Sequence, residues 1–162
     1  MGAEAGDNTI SAALDCAMAA GAEVRGTTSP NPPVGAVIVS AAGEVAGVGA
    51  TQPVGGAHAE VMALRAAGEK ARGGTAVVTL EPCAHTGRTG PCTQALIDAG
   101  VACVYYLHPD PTSQAAGGAR ALAEAGVDVI KLEKPPQVED ALMPWLWAMR
   151  TRRPHITLKF AQ

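Results

Sequence analysis

Four residues in two short stretches of this 162-residue sequence have side chains that bind metal ions or transfer protons. His58 and Glu60 stand in GGAHAEVMAL, directly after a glycine-rich loop, and Cys83 and Cys92 stand in TLEPCAHTGRTGPC, each directly after a proline. Imidazole and thiolate are preferred ligands of Zn²⁺, and a carboxylate beside such an ion can transfer protons. Taken alone, the two cysteines could equally form a disulfide or be unrelated buried thiols.

The spacing of His58 and Glu60 limits where they can meet. Residues two apart on an ideal α-helix point about 200° away from each other, so they cannot both face a ligand at the side of a helix. In the first turn they can converge on a site beyond the helix end. Pro91 predicts the start of another helix at Cys92, and Cys83 follows a buried strand. The sequence therefore predicts a site at a sheet edge where strands lead into helices.

The predicted ligand set is typical of catalytic zinc. Two thiolates and one imidazole supply three ligands and leave the fourth tetrahedral position open, so we predict Zn²⁺ at His58, Cys83 and Cys92. The ion would lower the pKa of bound water to about 7. Glu60, which is not needed as a ligand, would then be the proton shuttle. As an alternative, Glu60 could simply be a favourable charge in a first helical turn.

Hydrophobic periodicity and turn residues predict an alternation of helices and strands. The predicted helices cover residues 10–24, 58–71, 91–100, at least the second half of 111–126, and 138–149 with a kink at Pro144. The predicted strands cover 34–40, 44–50, 75–81, 101–107, 127–132 and 155–160. This order predicts a three-layer α/β/α fold with a central mixed sheet of about five strands. The 19 glycines and 3% aromatic content indicate close helix–sheet packing of small residues.

Composition excludes several classes of protein. A net charge of −3 offers no electrostatic footprint for nucleic acid, and scarce aromatic residues argue against base stacking, so we expect no nucleic-acid partner. The sequence contains no apolar run of about 18 residues that could span a membrane. The acidic start lacks a signal-peptide pattern, so we expect a cytoplasmic protein whose cysteines remain reduced. That expectation argues against the disulfide.

Three segments together resemble the deaminase domain of the bifunctional riboflavin-biosynthesis deaminase/reductase: TSPNPPVGAVIV, HAEVMAL and TLEPCAHTGRTGPCTQALIDAGV. Zinc deaminases carry H-x-E followed by P-C-x-x-C. In this family a longer loop separates the two cysteines, as eight residues do here. The resemblance implies a cytidine-deaminase-like fold. It also implies hydrolytic deamination of 2,5-diamino-6-ribosylamino-4(3H)-pyrimidinone 5′-phosphate, a pyrimidine ribosylamine phosphate, to 5-amino-6-ribosylaminouracil 5′-phosphate.

The resemblance also implies residue roles. It supports the three zinc ligands and Glu60 as general acid/base, and it places four further residues at the substrate: Asn31, His85, Arg88 and Asp110. Asn31 would hold the pyrimidine, and His85 and Arg88 lie in the loop associated with the ribose phosphate. Asp110 matches the acidic residue of the family's D-P-N stretch.

Two positions depart from the family pattern. Thr51 and Thr112 stand where the family often has histidine and asparagine, so the exact substrate stays open. The substrate residues also have simpler explanations: Asn31 and Asp110 adjoin prolines and could only shape turns, and Arg88 could be a solvated charge. Guanine, cytosine or a nucleoside is an alternative substrate, and a non-catalytic zinc-stabilised module is a different class of function.

The last residues suggest a second unit. We expect residues 1–149 to form the deaminase domain. Residues 150–162 resemble a linker and the first strand of the family's reductase domain, which would be a partner absent from this chain. An unpaired strand at 155–160 would expose a sheet edge, so we expect a homodimer or higher homo-oligomer.

Overall fold

The computed structural model describes residues 2–85, 90–112, 117–135 and 140–160. These residues form five α-helices, one short 3₁₀ helix and five strands. The helices are α1 (Gly2–Glu23), α2 (Ala59–Ala67), α3 (Cys92–Asp98), α4 (Gly118–Glu124) and α5 (Met143–Thr151), and the strands are β1 (Gly35–Val39), β2 (Val45–Ala50), β3 (Thr75–Leu80), β4 (Cys103–His108) and β5 (Asp128–Lys131). None of the described helices is long and apolar enough to cross a membrane.

The five strands form one mixed sheet in the order β2-β1-β3-β4-β5. β1 runs antiparallel to both of its neighbours, whereas β3, β4 and β5 are parallel. The amino end of β1 therefore lies beside the carboxyl ends of β2 and β3, with Gly35 opposite Ala50 and Ala36 opposite Val78. Within the described residues, the segments that carry predicted site residues reach this one edge of the sheet.

Helices cover both faces of the sheet, which confirms the predicted three-layer α/β/α fold. Successive residues of a strand point to opposite faces. Val37 and Val39 accordingly pack with α1, while Ala36 and Ile38 pack with the helices of the other face. Every residue of β1 is buried. Burial on both faces explains why this strand reads as a continuous apolar run rather than an alternating one.

The helix that leads out of the site, α2, packs unusually close to β2. A Cβ atom added at Gly47 would lie 2.3 Å from the carbonyl oxygen of Ala63, and one added at Gly49 would lie 2.3 Å from that of Ala59. Real Cβ atoms do not approach backbone oxygens so closely, so both positions require glycine. This contact realises the close packing of small residues that the composition predicted.

Several predicted elements differ in the structure: the first helix begins at Gly2 instead of residue 10, and the last begins at Met143 instead of residue 138. The helix predicted over 58–71 ends at Ala67 and continues as a 3₁₀ turn from Gly68, which has a φ of 54°. The predicted kink at Pro144 is wrong, because this proline lies in the first turn of α5, where its missing N–H costs no hydrogen bond. The strand predicted over 155–160 is not a strand in the structure, and its residues are exposed.

We expect Gly49→Ala to destabilise the protein by about 1–3 kcal/mol, because the new methyl group must push α2 away from β2. Urea unfolding followed by circular dichroism measures the change. Gly6→Ala is the matched control, since a Cβ atom at Gly6 meets nothing within 4 Å. Equal stability of Gly49→Ala and wild type would contradict the close contact.

Candidate active site

Three metal-binding side chains converge at the carboxyl edge of the sheet. The ligand atoms of His58, Cys83 and Cys92 all lie within 4.8 Å of one another. His58 Nδ1 is 3.2 Å from Cys92 Sγ and 3.6 Å from Cys83 Sγ. All four cysteines of the chain are free thiols, so Cys83 and Cys92 are not joined by a disulfide.

Each of these residues stands at a junction between regular elements. His58 is the N-cap of α2 with an extended backbone (φ −72°, ψ 163°), so its side chain is free of the helical periodicity that separates it from Glu60. Cys92 is the first residue of α3, after Pro91. Cys83 follows the end of β3, and its sulfur accepts a hydrogen bond from the Cys92 backbone N–H at 3.4 Å. The predicted convergence beyond two helix ends is thus present.

The two sulfurs titrate as a pair. A hydrogen bond from the Cys92 thiol lowers the pKa of Cys83, and the same contact with Cys83 raises the pKa of Cys92. The hydrogen bond to Cys83 also raises the pKa of the His58 imidazole. A cation bound to both sulfurs would favour the thiolate form of each.

The donor set fits zinc. Zn–S bonds of about 2.3 Å and Zn–N bonds of about 2.0 Å at tetrahedral angles place nitrogen and sulfur donors about 3.5 Å apart. The observed nitrogen–sulfur distances of 3.2 and 3.6 Å bracket that value. Soft thiolates together with imidazole favour Zn²⁺ over oxygen-seeking cations such as Mg²⁺.

Glu60 lies beside the metal-binding residues in the first turn of α2 and is only 5% exposed. Burial raises the pKa of its carboxyl to about 7. A carboxyl with such a pKa can both accept and donate a proton near neutral pH, as a general acid/base requires.

A cavity of about 330 Å³ opens onto these residues. Its walls include His58, Glu60 and Cys83, together with the predicted substrate residues Asn31, His85 and Asp110. A larger and shallower depression of about 680 Å³ lies at the opposite ends of the strands, beside residues such as Thr75 and Cys103. We assign the site to the smaller cavity, because it brings the metal-binding cluster and the predicted substrate residues together.

Asn31 enters the cavity from the loop before β1. Its backbone N–H donates to the Thr28 carbonyl at 2.9 Å, and the Thr28 hydroxyl donates to the Asn31 carbonyl at 2.9 Å. Thr51 also borders the cavity, but its hydroxyl accepts a hydrogen bond from the Val34 backbone N–H at 3.1 Å. Thr51 therefore fastens the end of β2 to the start of β1, next to the Asn31 loop.

Asp110 enters the cavity from the loop after β4. Its Oδ1 accepts hydrogen bonds from the Thr112 backbone N–H at 2.8 Å and the Thr112 hydroxyl at 2.6 Å. Asp110 thus shapes a turn and also faces the cavity, and Thr112 lines the cavity beside it. His85 is exposed at the cavity rim, whereas Arg88 lies outside the described residues.

The sequence did not indicate the wall that α5 adds to the cavity. Trp145 and Met149 stand four residues apart on one face of this helix and both line the cavity. The indole N–H of Trp145 donates to the Pro30 carbonyl at 3.2 Å, which ties α5 to the Asn31 loop. The i,i+4 spacing could have predicted a shared apolar face, but not that this face borders the site.

A second contact connects the segment before α5 to the end of β4. His108 Nε2 lies 2.5 Å from Asp140 Oδ2. Burial alone would raise the pKa of the Asp140 carboxyl, but the hydrogen bonds from His108 and from the Leu142 backbone N–H outweigh it and lower that pKa. This buried carboxylate joins the end of β4 to the start of α5.

Known proteins share both the sequence pattern and the fold. The chain is 64% identical over 153 residues to the riboflavin biosynthesis protein RibD of Corynebacterium ammoniagenes, an alignment that covers 94% of this chain and 45% of that protein. RibD of Escherichia coli is 53% identical over 136 residues, which cover 83% of this chain and 37% of that protein. This chain thus spans less than half the length of these relatives.

A solved structure supports the same relation. The chain superposes with a TM-score of 0.83 and 33% identity on a diaminohydroxyphosphoribosylaminopyrimidine deaminase/5-amino-6-(5-phosphoribosylamino)uracil reductase from Thermotoga maritima, covering 91% of this chain and 43% of that one. The resemblance predicted from the sequence is confirmed. Residues 7–108 match the family described as the cytidine and deoxycytidylate deaminase zinc-binding region. The chain therefore belongs to the cytidine and deoxycytidylate deaminase zinc-binding family.

Proposed function

We propose that this chain catalyses the hydrolytic deamination of 2,5-diamino-6-ribosylamino-4(3H)-pyrimidinone 5′-phosphate to 5-amino-6-ribosylaminouracil 5′-phosphate, a step of riboflavin biosynthesis. The observation that carries the proposal is the cluster of His58, Cys83 and Cys92 at one cavity with the buried Glu60. The names of its relatives, which include a diaminohydroxyphosphoribosylaminopyrimidine deaminase, indicate the substrate class.

The reaction replaces the exocyclic amine at C2 of the pyrimidinone by oxygen. A bond forms between this carbon and a water oxygen, the bond to the amine nitrogen breaks, and ammonia leaves. His58, Cys83 and Cys92 would hold a zinc ion, which would supply a Lewis acid and lower the pKa of bound water.

Glu60 performs the proton transfers in this proposal. Its carboxylate accepts a proton from the attacking water and later donates a proton to the departing amine nitrogen, so the residue returns to its starting state. Burial, which raises the pKa of Glu60 to about 7, brings that pKa close to neutral pH.

The remaining cavity residues orient the substrate. The Asn31 amide can donate to one edge atom of the pyrimidine and accept from another. Apolar side chains such as Trp145 and Met149 give the flat ring an apolar surface. His85 and Arg88, in the loop between the two cysteines, would bind the ribose phosphate, and Asp110 would accept hydrogen bonds from the substrate.

Two alternatives keep part of this proposal. A deaminase for guanine, cytosine or a nucleoside would use the same metal and the same Glu60. Thr51 and Thr112, which depart from the family pattern, are compatible with such a substrate. A non-catalytic zinc module would not need Glu60 at the cavity. We also propose that the protein works in the cytoplasm, that residues 150–162 comprise a linker and a segment like the start of a reductase domain, and that the chain forms a homo-oligomer. The length shared with RibD relatives supports the reductase proposal.

We expect Cys83→Ala and Cys92→Ala to lose zinc, because each removes one of three protein ligands. Wild type should hold about one zinc ion per chain after dialysis, and each variant should bind zinc more than about tenfold more weakly, measured by elemental analysis and chelator competition. Cys16→Ala, a cysteine on α1 far from the cluster in sequence, is the control and should keep its zinc. Full zinc content in Cys92→Ala would refute the ligand assignment.

We expect Glu60→Gln to retain zinc and to lose about 10²–10⁴-fold in kcat, because the amide cannot transfer the proton. Ammonia release from the pyrimidine phosphate and zinc content are measured on the same preparation. Glu69→Gln, at an exposed glutamate after α2, is the matched control and should have wild-type activity. A zinc-loaded Glu60→Gln enzyme of full activity would exclude Glu60 as the acid/base.

We expect Arg88→Ala to raise the KM for the phosphorylated substrate by about tenfold, since a charge-assisted hydrogen bond to the phosphate is lost. The KM for the dephosphorylated analogue should stay unchanged. Steady-state ammonia release with the two compounds measures the difference. An equal rise for both would remove Arg88 from the phosphate site, and turnover of guanine or cytosine alone by wild type would exclude the proposed substrate.

A further inference from the structure

Glu81 is a buried carboxylate that the proposed mechanism does not use. It stands in TLEPC, directly after β3 and two residues before the zinc ligand Cys83, and it is 8% exposed. Its side chain borders the same cavity as Glu60 and Asp110. A buried carboxylate is costly unless hydrogen bonds satisfy it, so its partners indicate what it does.

Both carboxylate oxygens of Glu81 bind backbone N–H groups of other segments. Oε2 accepts from the Asp110 N–H at 3.2 Å, and Oε1 accepts from the Ala119 N–H in the first turn of α4 at 3.0 Å. The Glu81 N–H itself donates to the His108 carbonyl at 2.8 Å. One residue therefore joins the end of β3 to the loop after β4 and to α4.

The start of α4 also packs directly against the neighbouring backbone. A Cβ atom at Gly118 would lie 1.7 Å from the Pro82 carbonyl oxygen, so this contact requires glycine. Glu81, Pro82 and the zinc ligand Cys83 are consecutive. A shift of Asp110 or Ala119 away from Glu81 therefore also changes the distance of that residue from the metal-binding cluster.

We propose that Glu81 is a positioning residue of the substrate site, one that holds Asp110 at a set distance from the zinc ligands. The inference rests on the proposed function, because Asp110 is a substrate residue only there. Both oxygens must accept, so glutamine is a poor replacement: one end of its amide is a donor and would face a backbone N–H. Glu81 acts through Asp110 and does not itself take part in the reaction.

A double-mutant cycle tests the proposal on the zinc-loaded protein. Glu81→Gln should keep its zinc and its kcat within about twofold while its KM rises about tenfold, because a hydrogen bond to a charged group is lost and Asp110 is misplaced. In the Asp110→Ala background the Glu81→Gln change should have no further effect on KM. Glu44→Gln, at an exposed residue of the β1–β2 turn, is the matched control.

Three results would overturn the inference. Additive KM effects of Glu81→Gln and Asp110→Ala would mean that Glu81 does not act through Asp110. An unchanged KM would mean that Asp110 needs no such support. Loss of zinc from Glu81→Gln would mean that Glu81 supports the metal ligands instead of the substrate loop.

Amide hydrogen exchange separates this inference from the proposed function. In wild type the N–H groups of Asp110 and Ala119 should be protected, and Glu81→Gln should speed their exchange at least about tenfold. Unprotected amides in wild type would overturn the inference even if the variant fails to fold. If wild type releases no ammonia from the pyrimidine phosphate, the proposed function fails, and the exchange result alone decides whether Glu81 positions the Asp110 loop.

Discussion

The place of β1 in the sheet, antiparallel between β2 and β3, is the constraint on which the site depends. It brings the loop before β1 to the edge at which β3 and β4 end. Side chains alternate along a strand, so a shift of one residue in the pairing of Ala36 with Val78 would turn every side chain of β1 to the other face. Because β1 is buried on both faces, its register is held by packing with α1 and with the opposite helices.

The second requirement is the close approach of α2 to β2. Metal donors must be placed within a few tenths of an ångström, and His58 stands at the start of this helix. Gly47 and Gly49 let the helix backbone rest on the strand, where a larger residue would displace it. The low aromatic content of the chain thus has a structural reason in this part of the molecule. The distance between α2 and β2 is set by contacts between their backbones and not by bulky side chains.

The secondary-structure elements and the metal-binding residues could be predicted from the sequence because their signals are local. The H-x-E spacing and the two Pro-Cys pairs predict ligands at helix starts without knowledge of the rest of the fold. The contribution of Trp145 and the tie between His108 and Asp140 depend on which segments meet in space, and no local pattern encodes that. The alternation of residues 155–160 predicts a strand, but a strand needs a partner, and the described sheet offers none to them. The kink predicted at Pro144 was wrong for a related reason. A proline indicates either a kink or a helix start, and which one applies depends on where the helix begins.

The cavity holds three carboxylates, and their surroundings divide their roles. Glu81 accepts hydrogen bonds from two backbone N–H groups, and Asp110 accepts two from Thr112, so both are held in place as acceptors. For Glu60 burial dominates and raises the pKa to about 7, which suits it to carry a proton. Glu81 and Asp110, both held as hydrogen-bond acceptors beside a cavity of about 330 Å³, also repel an anion. Under the proposed function, the phosphorylated substrate would therefore place its pyrimidine toward Glu60 and direct its phosphate outward, to the rim where His85 is exposed.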